Sequence, residues 1–194
     1  MARRRKYEFK PDPKGTNFFK VLHLTRQQQF QYLKWALYGV LCVLLLVVQD
    51  TVMSQIRISG ATTDLAVCAI VLIGILAGTE DGGLFALIAS TVYWFSGSAP
   101  GPYVIALITL FVIGAALFRQ MFWHRGFGSI MLCSGVAMML YELSIFFIGI
   151  FIGRTLWVRI GVFLLTGILS LAVMLALYPL VKVIGKIGGE TWKE

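Results

Sequence analysis

Charge is scarce in this chain. Only 13% of its 194 residues are Asp, Glu, Lys or Arg, while 58% are hydrophobic. Soluble domains run near a quarter charged and about 45–50% apolar. The deficit excludes an ordinary water-soluble globule. Histidine occurs twice and cysteine three times. Cys42, Cys68 and Cys133 each sit inside an apolar run and form neither a CxxC pair nor a disulfide framework, so they read as small buried side chains. His23 lies alone in a mildly amphipathic stretch, and His124 lies in a basic loop beside Trp123 and Arg125, where lipid headgroups are its natural contact. HExxH and GxSxG are both absent. Glu80 and Asp81 are adjacent, and solvated positions at a helix start suit them. The paired groups at one depth that an intramembrane protease needs are not found in the pattern. The expectation is therefore a protein that is not an enzyme and that uses no cofactor and no metal.

The apolar residues fall in runs of about membrane length, without short alternation, so helices are expected and a β-barrel is not. The net charge is +8, and nine of the 17 Lys and Arg lie in the first 34 residues. This placement reads as an orientation and lipid-contact signal. No basic helix or aromatic–basic interleaving follows it, so nucleic acid is not an expected partner. No cleavable signal peptide is expected, because the first apolar run begins late and lacks a small-residue cleavage site behind it.

The pattern divides into a basic N-terminal arm (1–24), a helical membrane domain (25–181) and a short tail (182–194). The fold class expected is an all-α membrane protein, a six-transmembrane-helix bundle with two short central helices. Thr25 and Gln28 have capping-box spacing ahead of helix 1, whose membrane part covers about 34–53. Trp35 and Tyr38 are placed as interface anchors, with Lys34 snorkelling beside them, and Gln49 and Asp50 stand near the other end. Ile58-Ser-Gly60 marks a break. Helices 2 and 3 are expected over 64–78 and 82–95, with Asp64 capping the former. At 1.5 Å per residue each spans roughly 21–23 Å, short of a hydrocarbon core of about 30 Å. Tyr93 and Trp94 read as an aromatic belt. Helix 4 covers about 102–118 and carries the small patch Gly114-Ala-Ala116, a close-approach signal. Helix 5 covers about 128–153, with a GxxxG pair at Gly149 and Gly153, and helix 6 about 156–181.

An even helix number puts both termini on one side. With that side cytoplasmic, fourteen positive residues lie inside, against Arg57, Arg154 and Arg159 outside. No internal repeat of the inverted-transporter kind is found. Glu142 is the one ionisable residue placed deep in a span. A charge at the bilayer centre costs about 2.5–3.5 kcal/mol on insertion scales, so such residues usually face the bundle interior. It reads either as a proton, ion or partner site or as a hydrogen-bonded structural carboxyl, and with no partner group visible at its depth it makes no proton relay.

The stretch 64–102 carries a family signal. After a first helix that ends near Gln49 come Thr63-Asp64-Leu65, a short apolar helix, a tight turn over 78–83 that includes Gly83, a second short helix, and the exit Ser96-Gly97-Ser98-Ala99-Pro100-Gly101; a Tyr141-Glu142 pair follows in helix 5. Over about 37–181 this resembles MreD, the rod shape-determining membrane protein family. The chain departs from that pattern in carrying Thr63 where the family commonly has proline and Tyr93 where it commonly has aspartate. The resemblance implies a non-catalytic scaffold of bacterial cell-wall elongation in the cytoplasmic (inner) membrane, both termini cytoplasmic. The partners it implies are membrane lipids and an MreC-like protein. Through the latter it implies the actin-like MreB, a RodA-type glycosyltransferase and a class B penicillin-binding protein. Gln49, Asp50, Asp64, Gly83, Gly97, Pro100 and Glu142 become candidate partner-contact or structural positions. The competing reading is a substrate-binding S subunit of an energy-coupling factor transporter, similar in size and helix number. Such a subunit is expected to show small residues in helix 1, where this chain has LYGVLCVLLLVV.

Overall fold

The computed structural model describes residues 26–53, 61, 63–122 and 126–187. Readings made for the N-terminal arm, His23, Thr25, Arg57, the break at 58–60, the basic loop around His124 and the end of the tail lie outside the described residues. Six α-helices follow one another: α1 (Arg26–Val48), α2 (Leu65–Ala77), α3 (Thr79–Phe95), α4 (Tyr103–Phe122), α5 (Phe127–Phe151) and α6 (Ile160–Gly185). α1 runs on into a π-helical turn, Gln49–Met53, and a 3-10 turn, Trp157–Arg159, leads into α6. The described residues contain no β-strand.

Four segments are long and apolar enough to cross a membrane, and they correspond to α1, α4, α5 and α6. Their outward faces carry exposed Val43, Val47, Leu110, Leu132, Val136, Leu140, Ile168 and Leu175. Apolar exposure on this scale is rare on monomeric soluble proteins. α2 and α3 are the short helices, as expected, but they are not alike. Every residue of α2 from Leu65 to Leu76 is buried, because α1, α3, α4, α5 and α6 all pack against it. A helix apolar on every side is stable only when it is surrounded, and LAVCAIVLIGILA has no polar face to leave outside. α3 instead buries one stripe, Gly82, Gly83, Ala86, Ala89, Ser90 and Tyr93, and exposes Leu84, Leu87, Ile88, Val92 and Phe95. Only α2 is central.

The link between these helices is tighter than the expected turn over 78–83. Gly78 alone makes it, with φ +100, a conformation that favours glycine. The Gly78 N–H donates to the Gly74 carbonyl at 3.2 Å, and the Gly82 N–H donates to the Gly78 carbonyl at 3.0 Å. α3 therefore starts at Thr79, and Gly82 and Gly83 lie inside it. Glu80 and Asp81 stay exposed in its first turn, complementing the helix dipole.

Other local expectations change once the chain is folded. Tyr38 is no interface anchor: it is fully buried, donates to the Val181 carbonyl of α6 at 3.3 Å, and packs on Trp35 and Phe85. Lys34 sits over the Trp35 ring, 5.6 Å from its centre. Gly114 is exposed with open space around it. Rather than drawing α4 and α5 together, it lines an apolar hollow of about 320 Å³ between them. Gly149 faces Thr155 of its own turn, and its carbonyl accepts the Arg154 and Thr155 N–H groups. Gly153, with φ +74, lies just beyond the end of α5. The GxxxG pair thus closes a helix end and joins no second helix. All three cysteines are buried and unpaired as disulfides.

Candidate functional site

Several polar side chains lie near the N-terminal end of α2. Asp64 occupies the N-cap position, and its carbonyl accepts the Cys68 N–H at 3.0 Å. Its carboxylate makes no capping hydrogen bond, contrary to the role expected from its position. Gln49, reaching over from the π-helical turn, does that work. Its Oε1 accepts the Ala66 N–H at 3.0 Å, and its Nε2 donates to Asp64 Oδ1 at 3.1 Å. One buried amide thus satisfies an otherwise unpaired N–H of the first helical turn and holds the neighbouring carboxylate. A π-turn is an uncommon device, often found where a side chain has to be re-aimed, and here it lies where Gln49 turns toward α2.

Three further helices contribute. Tyr93 of α3 is only 1% exposed, so it is no belt residue. Its ring lies inward, beside the side chains of Gln49 and Tyr141, and its hydroxyl reaches the Ser98 carbonyl at 3.5 Å. Trp94 is half-buried and Phe95 exposed, which leaves these two on the outside. Tyr141 and Glu142 come from α5, buried to 1% and 4% exposure. Asp64, half-buried, is tied to the group by the Gln49 amide. From α6, the Ser170 carbonyl accepts the Cys68 thiol at 3.6 Å. Three oxygens of this region, Tyr141 Oη, Glu142 Oε1 and Ser170 Oγ, are buried without a hydrogen-bond partner.

Glu142 lies three residues past the middle of α5, toward its C-terminal end. Asp50 is exposed and accepts the Ser98 hydroxyl at 2.8 Å, which ties the exit loop to the end of α1. Gly97, with φ +80, ends α3 in that loop, and Pro100 is exposed within it. Gly83 belongs elsewhere, facing Ile113 of α4 near the opposite end of α2.

Of the candidate residues, Gln49 and Asp64 come together, with Glu142 buried on a helix packed against α2; Asp50, Gly97 and Pro100 border them, and Gly83 does not join them. Sequence reasoning missed Tyr93, Cys68 and Ser170 as members. The hydroxyl of Ser170 inside an otherwise apolar helix was the available signal for one of them. Among the described residues, no group of three or more His, Cys, Asp or Glu side chains is placed to hold a metal ion. Compared with known proteins, the chain matches no family model, no curated protein and no solved structure.

Proposed function

We propose that the chain is a multi-pass scaffold of the bacterial cell-wall elongation machinery, MreD-like, held in the cytoplasmic membrane with both termini on the cytoplasmic side. The observation that carries this reading is convergence. Gln49, Asp64, Tyr93, Tyr141 and Glu142, five of the positions on which the MreD resemblance rests or from which it departs, are spread over ninety-odd residues of sequence. Gln49 binds Asp64 and Ala66 at the start of α2, and Tyr93, Tyr141 and Glu142 are buried on the helices packed around it. Tyr93, where the resemblance leads one to expect an aspartate, still faces the same cluster, with its phenol in place of a carboxylate.

In this reading the exposed apolar faces of α1, α4, α5 and α6 meet lipid and the membrane segment of an MreC-like partner. That partner would connect the chain to MreB, a RodA-type glycosyltransferase and a class B penicillin-binding protein. The transporter-subunit alternative gains less, because Tyr141 Oη, Glu142 Oε1 and Ser170 Oγ lie beneath the surface, where a vitamin-sized ligand would not reach them. The test is co-expression of the tagged full chain with the MreC-like protein of the same genome, followed by affinity purification from detergent-solubilised membranes. A stoichiometric complex is expected. A well-folded chain that never retains the partner, in several detergents and in nanodiscs, would sink the reading.

A further inference from the structure

We propose that the hollow between α4 and α5 holds one acyl chain of an anionic phospholipid, whose phosphate is taken by Arg119 at the end of the hollow. This rests on the chain spanning a membrane and is independent of the cell-wall reading.

The hollow has the shape of a slot. Phe111, Gly114, Ala115 and Phe118 line it from one stripe of α4, at spacings of three and four residues, and Leu132 and Leu140 mark its extent on α5. It is lined by apolar residues and encloses about 320 Å³, within the usual size of a small-molecule site. Gly114, Phe118, Leu132 and Leu140 are exposed, so the slot opens outward. A Cβ added at Gly114 would meet nothing within 4 Å. From Phe111 to Phe118 the helix rises about 10 Å. A volume of about 320 Å³ over that length gives a slot about 6 Å across. A helix with its side chains is about 10–12 Å wide, so a partner helix does not enter. A single hydrocarbon chain does, and in a bilayer such chains surround the opening.

Charge at one end of the slot selects the headgroup. Arg119 follows Phe118 directly and stands one turn beyond Ala115. Long side chains of a helix lie back over the preceding turn, which here is the turn that ends the slot. Arg119 is half-buried, and one of its N–H groups donates to the Ile75 carbonyl of α2 at 3.1 Å. A guanidinium carries five N–H groups, and among the described residues no carboxylate pairs with this one. Glu80 and Asp81, in the first turn of α3, belong to the far side of α4: there Ile113 faces Gly83 and Gln120 faces Gly78. Lys182 of α6 is at the same end of the bundle as Arg119. It sits over the Tyr178 ring, 5.7 Å from its centre, and Tyr178 packs on Phe127 at the start of α5. A phosphate beside Arg119 gains charge-assisted hydrogen bonds, and basic positions between membrane helices are where anionic headgroups bind. A zwitterionic headgroup brings its own cation to this place and gains less.

The test uses the purified full chain, delipidated in a neutral detergent. Its unfolding temperature is measured with dioleoyl phosphatidylglycerol and with dioleoyl phosphatidylcholine, which differ only in headgroup. Phosphatidylglycerol raises the wild-type midpoint by about 4 °C or more above phosphatidylcholine, the order expected of a ligand that binds the folded state alone well above its Kd. Gly114→Leu fills the slot and abolishes the rise. Arg119→Gln lowers the response to phosphatidylglycerol to that of phosphatidylcholine. Inorganic phosphate, which has no chain, gives no rise. Equal responses of wild type and Gly114→Leu, or a full rise with inorganic phosphate, overturn the proposal. A second measurement needs no variant to fold: a phosphatidylglycerol with a diazirine on its acyl chain is photo-crosslinked to the wild-type chain in nanodiscs. The label concentrates on peptides covering 111–118 and 132–140. Label spread evenly over the exposed faces of α1, α4, α5 and α6 overturns the proposal and leaves only the general lipid shell.

Discussion

The two ends of α2 are held in opposite ways. At its C-terminal end the contact is steric and depends on missing side chains. A Cβ on Gly82 would overlap the Gly74 carbonyl oxygen, a Cβ on Gly74 would overlap Val112, and a Cβ on Gly83 would come within 2.9 Å of Ile113. The Arg119 guanidinium then donates to the Ile75 carbonyl at 3.1 Å, satisfying an acceptor of the last turn and complementing its partial negative charge. At the N-terminal end the contact is polar and depends on side chains that are present. Gln49 exchanges hydrogen bonds with two residues of another element, and several buried oxygens remain uncommitted. One end is a fixed joint closed by glycine packing and a helix-end cation. The other has chemistry left over, and function in a packed helical core is best sought there.

The sharpest way to break this contrast is to put a side chain into the fixed joint. Gly82→Ala places a methyl against the Gly74 backbone, which has no rotamer by which to yield. Overpacking usually costs about 1–3 kcal/mol, occasionally more, and a backbone neighbour puts this case at about 3 kcal/mol or above. Gly114→Ala is the matched control, with nothing within 4 Å of the added atom. Because alanine is the better helix former, that change is neutral or stabilising by up to about 1 kcal/mol. Denaturant unfolding of the two variants in the same detergent checks the difference. Equal stabilities would mean that the Gly74–Gly82 contact is not what closes the α2–α3 hairpin.

The next effect in size belongs to the polar end. Gln49→Leu keeps the bulk of the side chain but strips the Ala66 N–H of its acceptor and Asp64 Oδ1 of its donor. Leaving buried polar groups unpaired costs about 1–3 kcal/mol, and a loss of about 2 kcal/mol is expected in the same unfolding assay. At the opposite end, Arg119→Gln removes a partly exposed helix-end cation, for which roughly 0.3–1 kcal/mol is the usual scale. If Arg119→Gln proved the costlier of the two, the C-terminal joint would owe its strength to charge and not to the glycines.

These two ends were not equally legible in the sequence. Six helices and their order followed from run length, and the shortness of helices 2 and 3 was visible. The centrality of α2 was written in its lack of any polar face, although the expected hairpin treated α3 as its equal. Gly82 and Gly83 were read as the end of the turn and the first residues of helix 3, because glycine marks both a turn and a close helix contact, and only the partner's position separates the two meanings. Tyr38 and Tyr93 were read as interface residues from their places near helix ends. Their hydroxyls instead find carbonyls inside the fold, at Val181 and Ser98, a choice set by tertiary neighbours. The contact of Cys68 with the Ser170 carbonyl was invisible for the same reason. About a hundred residues separate them, and periodicity carries no information about which helices touch.

The smallest expected effect tests how far the polar end extends toward the surface. The exit loop is fastened to α1 by the Ser98 hydroxyl on Asp50 Oδ1 at 2.8 Å, and the Ser96 and Ser98 hydroxyls lie 3.0 Å apart. Both contacts are exposed, so water replaces them at little loss, and Ser98→Ala should change stability by no more than about 0.5 kcal/mol. The substitution leaves the Ser98 carbonyl in place, and with it the bond from the buried Tyr93 hydroxyl. It therefore separates the loop's exposed fastening from its hydrogen bond to the core. A loss above about 1.5 kcal/mol, the upper scale for a hydrogen bond's net contribution, would mean that the loop shields the cluster and that the Asp50 contact is part of its closure. The polar end would then be a lidded chamber, and its difference from the glycine joint would be one of construction rather than of tightness.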